Sequence, residues 1–73
     1  MKGHMTIRGK YKDCKPLRTM IRDVERCKSE SLNYDEDIGD CRLDYFYDDY
    51  DDGGLDLMMI GRPEGIEIDY EQW

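Results

Sequence analysis

Near the start of the chain, apolar and polar residues alternate. Met5, Ile7, Gly9 and Tyr11 would fall on one side of an extended segment, and Thr6, Arg8, Lys10 and Lys12 on the other. A period of two with one wholly polar side predicts a half-buried strand over 5–12. The period then lengthens. Leu17, Met20, Ile21, Val24 and Cys27 recur at i, i+3, i+4, i+7 and i+10, one apolar stripe that predicts a helix over 14–28. Asp13 suits the N-cap, and Pro16 is compatible with a helix start. Arg18, Arg22 and Arg26 line the opposite flank. Residues 29–41 carry no period and read as a loop with a short turn near 34–37.

Beyond Arg42 the alternation returns, broken twice by turn residues. Asp52-Gly53 is a preferred pair for a type I′ hairpin, in which both central residues need positive φ. Arg62-Pro63-Glu64-Gly65 suits a type I turn closed by a glycine bulge. The pattern predicts a three-stranded meander over 42–73, with Tyr45 opposite Ile60 and Ile60 opposite Ile68. One face would then hold Leu43, Tyr45, Tyr47, Met58, Ile60, Ile66, Ile68 and Tyr70, a natural seat for the helix stripe. The expected fold is α+β: one helix packed on a mainly antiparallel four-stranded sheet in the order β-α-β-β-β, forming a single domain over 1–73. The first strand is placed at an edge, beside Glu67, Asp69 and Glu71. Gly3-His4-Met5 has the look of a leader or cloning scar, with Met5 as the natural start.

Charge changes this picture more than composition does. Residues 1–28 hold nine Lys/Arg against three Asp/Glu, and residues 29–73 hold two against fifteen, so a net charge of −7 is strongly segregated. Such asymmetry is an argument about partners and association. In the meander register Asp44, Phe46 and Asp48 share the outer face with Leu57, Met59, Glu67, Asp69 and Glu71. Asp49, Asp51, Asp52 and Asp56 carry the charge toward the hairpin tip. The result is a small apolar centre flanked by carboxylates about 6.6–6.8 Å apart along each strand. Like charges this close oppose folding, and they suit a basic partner by steering its approach.

Other chemistries fit the sequence poorly. Cys14, Cys27 and Cys41 form no CxxC pair and the one histidine is His4, so no zinc ligand set is assembled. Three reduced thiols in a cytoplasmic protein are expected, with Cys27 in the core. Aligning Asp48 to Gly54 as a calcium loop puts Tyr50 and Met59 where ligands belong. Paired carboxylates in an enzyme need a formed cleft, for which 73 residues leave little interior. No metal, cofactor or catalytic residue is assigned. No apolar run approaches the ~20 residues of a membrane span, and no signal-peptide pattern opens the chain.

In size, low pI and the acidic segments 44–52 and 67–71, the chain resembles the small acidic inhibitors that phages and mobile elements direct against bacterial defences: anti-CRISPR proteins, anti-restriction DNA mimics and inhibitors of DNA-repair glycosylases. The resemblance is one of size and charge and brings no motif with it. It implies carboxylates occupying a basic groove built for nucleic acid. The basic N-terminal half departs from DNA mimics that are acidic all over and implies a one-faced inhibitor. The expected function is therefore non-enzymatic inhibition of a nucleic-acid-binding complex in the cytoplasm of a bacterial host, by a monomer or weak homodimer with no direct nucleic-acid or membrane contact. The alternative is an acidic adaptor or antitoxin-like protein acting through an exposed apolar patch and self-association.

Overall fold

A computed structural model describes residues 1–24, 29–35 and 37–73, with residues 22–24 described by backbone alone. The element order is β1 (Gly3–Lys10), α1 (Tyr11–Val24), β2 (Ser29–Asp35), β3 (Asp40–Tyr47), α2 (Tyr50–Ile60) and β4 (Glu67–Gln72). The four strands form one antiparallel sheet in the order β2-β3-β1-β4. This β-α-β-β-α-β succession is the ferredoxin-like arrangement. The expected α+β class and four-stranded antiparallel sheet are present, with two helices in place of one.

Both helices cover one face of the sheet. Met5 and Ile7 of β1 and Leu43 and Tyr45 of β3 are fully buried there against Leu17 and Ile21 of α1 and Ile60 of α2. Each such side chain contributes roughly 1.5–3 kcal/mol. The period-two reading of the first strand holds, because Met5 and Ile7 face inward while Arg8 and Lys10 are exposed. Its placement needs correction: β1 is an inner strand between β3 and β4, and it runs over Gly3–Lys10 where 5–12 was expected. Its neighbour is as expected, with Arg8 opposite Glu67 and Thr6 opposite Asp69.

The apolar stripe of the first helix is confirmed at Leu17 and Ile21, whereas Met20 is 37% exposed. The helix starts at Tyr11, three residues before the expected start, and its first amide donates to the Gly39 carbonyl at 2.8 Å. Asp13 therefore lies in the first turn and is not the cap. The Val24 side chain and Cys27, expected to complete the stripe, lie outside the described residues, as do Arg26 and the Arg22 side chain.

Two segments expected otherwise differ for identifiable reasons. Residues 29–35 form the edge strand β2, whose inner side includes Leu32, packed on the core, and Glu30, which accepts a hydrogen bond from Arg18 Nε at 2.9 Å. With Glu30 on the inner side, Leu32 and Tyr34 alone mark the alternation, which hides its period. The expected hairpin strand of 54–60 is instead helix α2. Asp49 caps it, accepting from the Asp51 amide at 3.0 Å, and Asp51 and Asp52 occupy its first turn. Carboxylates there complement the helix dipole and satisfy amides that would otherwise lack partners. Gly61 ends the helix at φ 66°, its amide bonded to the Leu57 carbonyl at 2.9 Å.

Gly53 thus has a different purpose from the positive φ that a hairpin would require. A Cβ on it would collide with the Tyr70 hydroxyl, and one on Gly3 would stand 3.0 Å from the same atom. The Tyr70 ring lies in this glycine-lined seat, stacked on Tyr50 with centroids 4.6 Å apart, and its hydroxyl donates to the Tyr50 carbonyl. Gly53→Ala should therefore destabilise the protein by about 1–3 kcal/mol through overpacking, although alanine is the better helix former by ~1 kcal/mol. Chemical denaturation measures the net effect, and stabilisation would show that Tyr70 is not held there.

Candidate interaction surface

The sheet face away from the helices is open, and its residues lie in cross-strand ranks. Ser29, Phe46, His4 and Glu71 form one; Ser31, Asp44, Thr6 and Asp69 the next; Asn33, Arg42, Arg8 and Glu67 a third. This is not an apolar centre between carboxylates. Leu57 and Met59 belong to α2 in the other layer, so Phe46 is the one residue of the expected centre on this face.

Phe46 stacks on His4 with ring centroids 4.5 Å apart, and Trp73 meets His4 edge-on at 6.3 Å. His4 Nε2 in turn lies 2.8 Å from Asp44 Oδ1. Asp44 is buried and also accepts from Thr6 Oγ1 at 3.1 Å and from Arg42 Nε at 3.1 Å. Burial raises its pKa, but hydrogen bonds from Arg42, His4 and Thr6 outweigh it and hold the carboxyl below its ordinary value. Asp44 is thus the centre of an internal network and has little surface to offer a partner.

The cations of this face are matched locally. Arg8 Nη1 lies 3.5 Å from Asp69 Oδ2, and Lys10 Nζ lies 2.7 Å from Asp40 Oδ1. Arg8 and Arg42 are direct cross-strand partners in a depression of about 700 Å³ that Asp35, Asp40 and Glu67 also line. The mixed signs there leave no net attraction for an anion.

The remaining acidic candidates collect along one edge and one end. Glu67, Asp69 and Glu71 form the outward row of the edge strand β4 and are exposed. Asp48 and Asp49 precede α2, and Asp51 and Asp52 are in its first turn. The stacking of Tyr70 on Tyr50 joins β4 to the start of α2, while the β4 carboxylates point to the open face and α2 lies on the other. Burial is the main cause of the raised Tyr70 pKa, with further rises from Tyr50, Asp51 and Asp49 that show those carboxylates to be within electrostatic reach. Asp56, by contrast, is fully buried and accepts from the Tyr47 hydroxyl at 2.8 Å.

One feature of α2 was missed by the sequence reading. Leu55, Met58 and Met59 are 50%, 80% and 43% exposed, while Gly53, Asp56 and Ile60 are buried. Leu57 is half-buried against the core. The signal was present as spacing i, i+3, i+4 within 55–59, but a strand reading of this segment hides it.

Cys14 and Cys41 are free and buried side by side. Burial first, then Cys41 and Asp13, push the Cys14 thiol up to about 12, which leaves it protonated and unreactive near neutrality. Among the described residues, no group of three or more His, Cys, Asp or Glu is arranged to hold a metal ion, and no helix is long and apolar enough to cross a membrane.

No protein-family model matches the chain, and no curated protein matches it in sequence. Among solved structures it is similar to Rv0793 from Mycobacterium tuberculosis, with a TM-score of 0.62 and 14% identity over 100% of this chain and 95% of that one. At that identity the likeness shows the fold alone.

Proposed function

We propose that this protein is a non-enzymatic inhibitor that docks its carboxylate-bearing edge on the basic, nucleic-acid-binding surface of a bacterial host complex, in the manner of anti-CRISPR and DNA-mimic proteins. The observation that carries the reading is how the charges are distributed over the surface. Arg8, Lys10, Arg18 and Arg42 each pair with a carboxylate of the same chain. Glu67 and Glu71 on β4, and Asp51 and Asp52 in α2, enter no ion pair among the described residues. These carboxylates make that edge one acidic part of a chain whose net charge is −7. Part of this charge caps α2, but helix capping does not account for the β4 row.

A field of this kind acts on association more than on the fold. The partner is recognised by its basic groove, and the nucleic acid which that groove normally holds is the competitor. The experiment is capture from a bacterial lysate, identification by mass spectrometry, and measurement of affinity for the captured protein against salt. Affinity should fall steeply through the physiological range, because exposed charges are screened beyond about 8 Å at 0.15 M. The partner's nucleic acid should displace the protein. Affinity flat in salt, or simultaneous binding of protein and nucleic acid, would refute the proposal.

A further inference from the structure

Building on the proposed basic partner, we infer that the solvent-facing ridge of α2, formed by Leu55, Met58 and Met59, docks a cationic amphipathic helix of that partner. The ridge lies opposite the buried side of the helix, since residues 51, 55, 58 and 59 project within one sector and 53, 56 and 60 project away from it. Met58, at 80% exposed, is the most exposed large apolar side chain of the described residues. It gains almost nothing from the fold. The outward side of α1 is more polar: Lys12, Asp13, Lys15 and Thr19 are exposed there, and Met20, at 37%, is less exposed than any of the three ridge residues. Apolar side chains at i, i+3 and i+4 are the anchors by which helices meet. Methionine is the adaptable apolar residue typical of surfaces that accept a partner's side chains.

Charge selects the occupant. Helix α2 carries Asp51 and Asp52 in its first turn and not one Lys or Arg, and Asp48 and Asp49 stand directly before it. A helix laid along the ridge meets carboxylates at the N-terminal end of α2. Lysines or arginines flanking its own apolar stripe would be attracted, and glutamates repelled. A second copy of this chain is a poorer occupant, because each copy carries a net charge of −7 and the two repel.

The test uses the full-length protein and three synthetic helices: leucine and lysine with the leucines along one face, the same composition scrambled, and the first helix with glutamate replacing lysine. The leucine–lysine helix should shift the methyl NMR signals of Met58 and Met59. Leu55→Ser combined with Met58→Ser should weaken its binding at least about tenfold while the protein still unfolds cooperatively, since neither side chain is part of the core and the cost is that of helix propensity. If the scrambled peptide binds as tightly, or the serine variant loses no affinity, the ridge is not a docking site and the acidic-edge proposal stands alone. Equal binding of the glutamate helix would overturn the inferred charge selection and with it this inference, and would leave the acidic edge to its own salt and competition test. A dimer of the wild type that the serine variant abolishes would assign the ridge to self-association, and failure of the leucine–lysine helix to bind would overturn the inference outright.

Discussion

Ile21→Asp should abolish the cooperative unfolding transition of this protein. Ile21 is fully buried at the centre of the layer between α1 and the sheet, in one cluster with Met5, Ile7, Leu43 and Tyr45. Replacing it removes an apolar contribution of roughly 1.5–3 kcal/mol. It also leaves a carboxylate in an apolar site, which carries its own desolvation penalty of several kcal/mol. The cluster around it holds no cation to pair with the carboxylate. The two losses together are comparable to the whole stability of a small domain, about 5–15 kcal/mol. Ile21→Val in parallel should cost only ~0.5–1.5 kcal/mol and keep the transition sharp. Thermal and denaturant melts followed by circular dichroism measure both. An aspartate variant that melts like the parent would mean that α1 does not seat its stripe on the sheet.

Reversing three carboxylates at the proposed docking edge should weaken partner binding about 100-fold or more, while reversing three elsewhere should leave it nearly intact. The first variant combines Asp51→Lys, Glu67→Lys and Glu71→Lys; the second combines Asp13→Lys, Asp37→Lys and Glu64→Lys. All six positions are exposed. Each set includes one carboxylate from the first turn of a helix, Asp51 or Asp13, so the loss of dipole stabilisation, roughly 0.3–1 kcal/mol, is matched. The net charge changes equally in both, and only position differs. A like charge placed against the partner's basic groove costs several kcal/mol, whereas a bulk effect would weaken both variants alike. Affinities for the captured partner at fixed ionic strength decide the matter, and equal losses would remove the docking edge as an explanation. Asp44 is unsuitable for such a test, because its reversal would break the bonds to His4, Thr6 and Arg42 before it reported on any partner.

What was legible in the sequence was what local periodicity encodes. The inward Met5 and Ile7, the Leu17 and Ile21 stripe, and the alternation of Leu43, Tyr45 and Tyr47 all follow from repeats of 2 and 3.6, and the structure buries each of them. The segregation of charge is likewise a property of the chain, and it made an acidic interaction surface the leading functional reading. Even the inward side of the last strand was foreseen, since Ile66, Ile68 and Tyr70 do pack on the core.

Tertiary structure decided the rest. Asp52-Gly53 carries a strong local signal for a hairpin, but Asp49 caps a helix there, and Gly53 is required by the Tyr70 ring, which reaches it from another strand. No window of neighbouring residues contains that contact. With 50–60 helical, Leu57 and Met59 leave the sheet and Met58 moves from the expected core to the surface. The acidic face expected as one patch is therefore divided between β4 and the start of α2, while Asp44 is withdrawn into a network with His4 and Arg42. Whether β1 is an edge or an inner strand depends on which strands flank it, a choice made by packing two helices on one face. Short-range periodicity determined which side of each element is apolar. Contacts between residues far apart in the chain determined which elements exist at the glycines and which carboxylates remain at the surface.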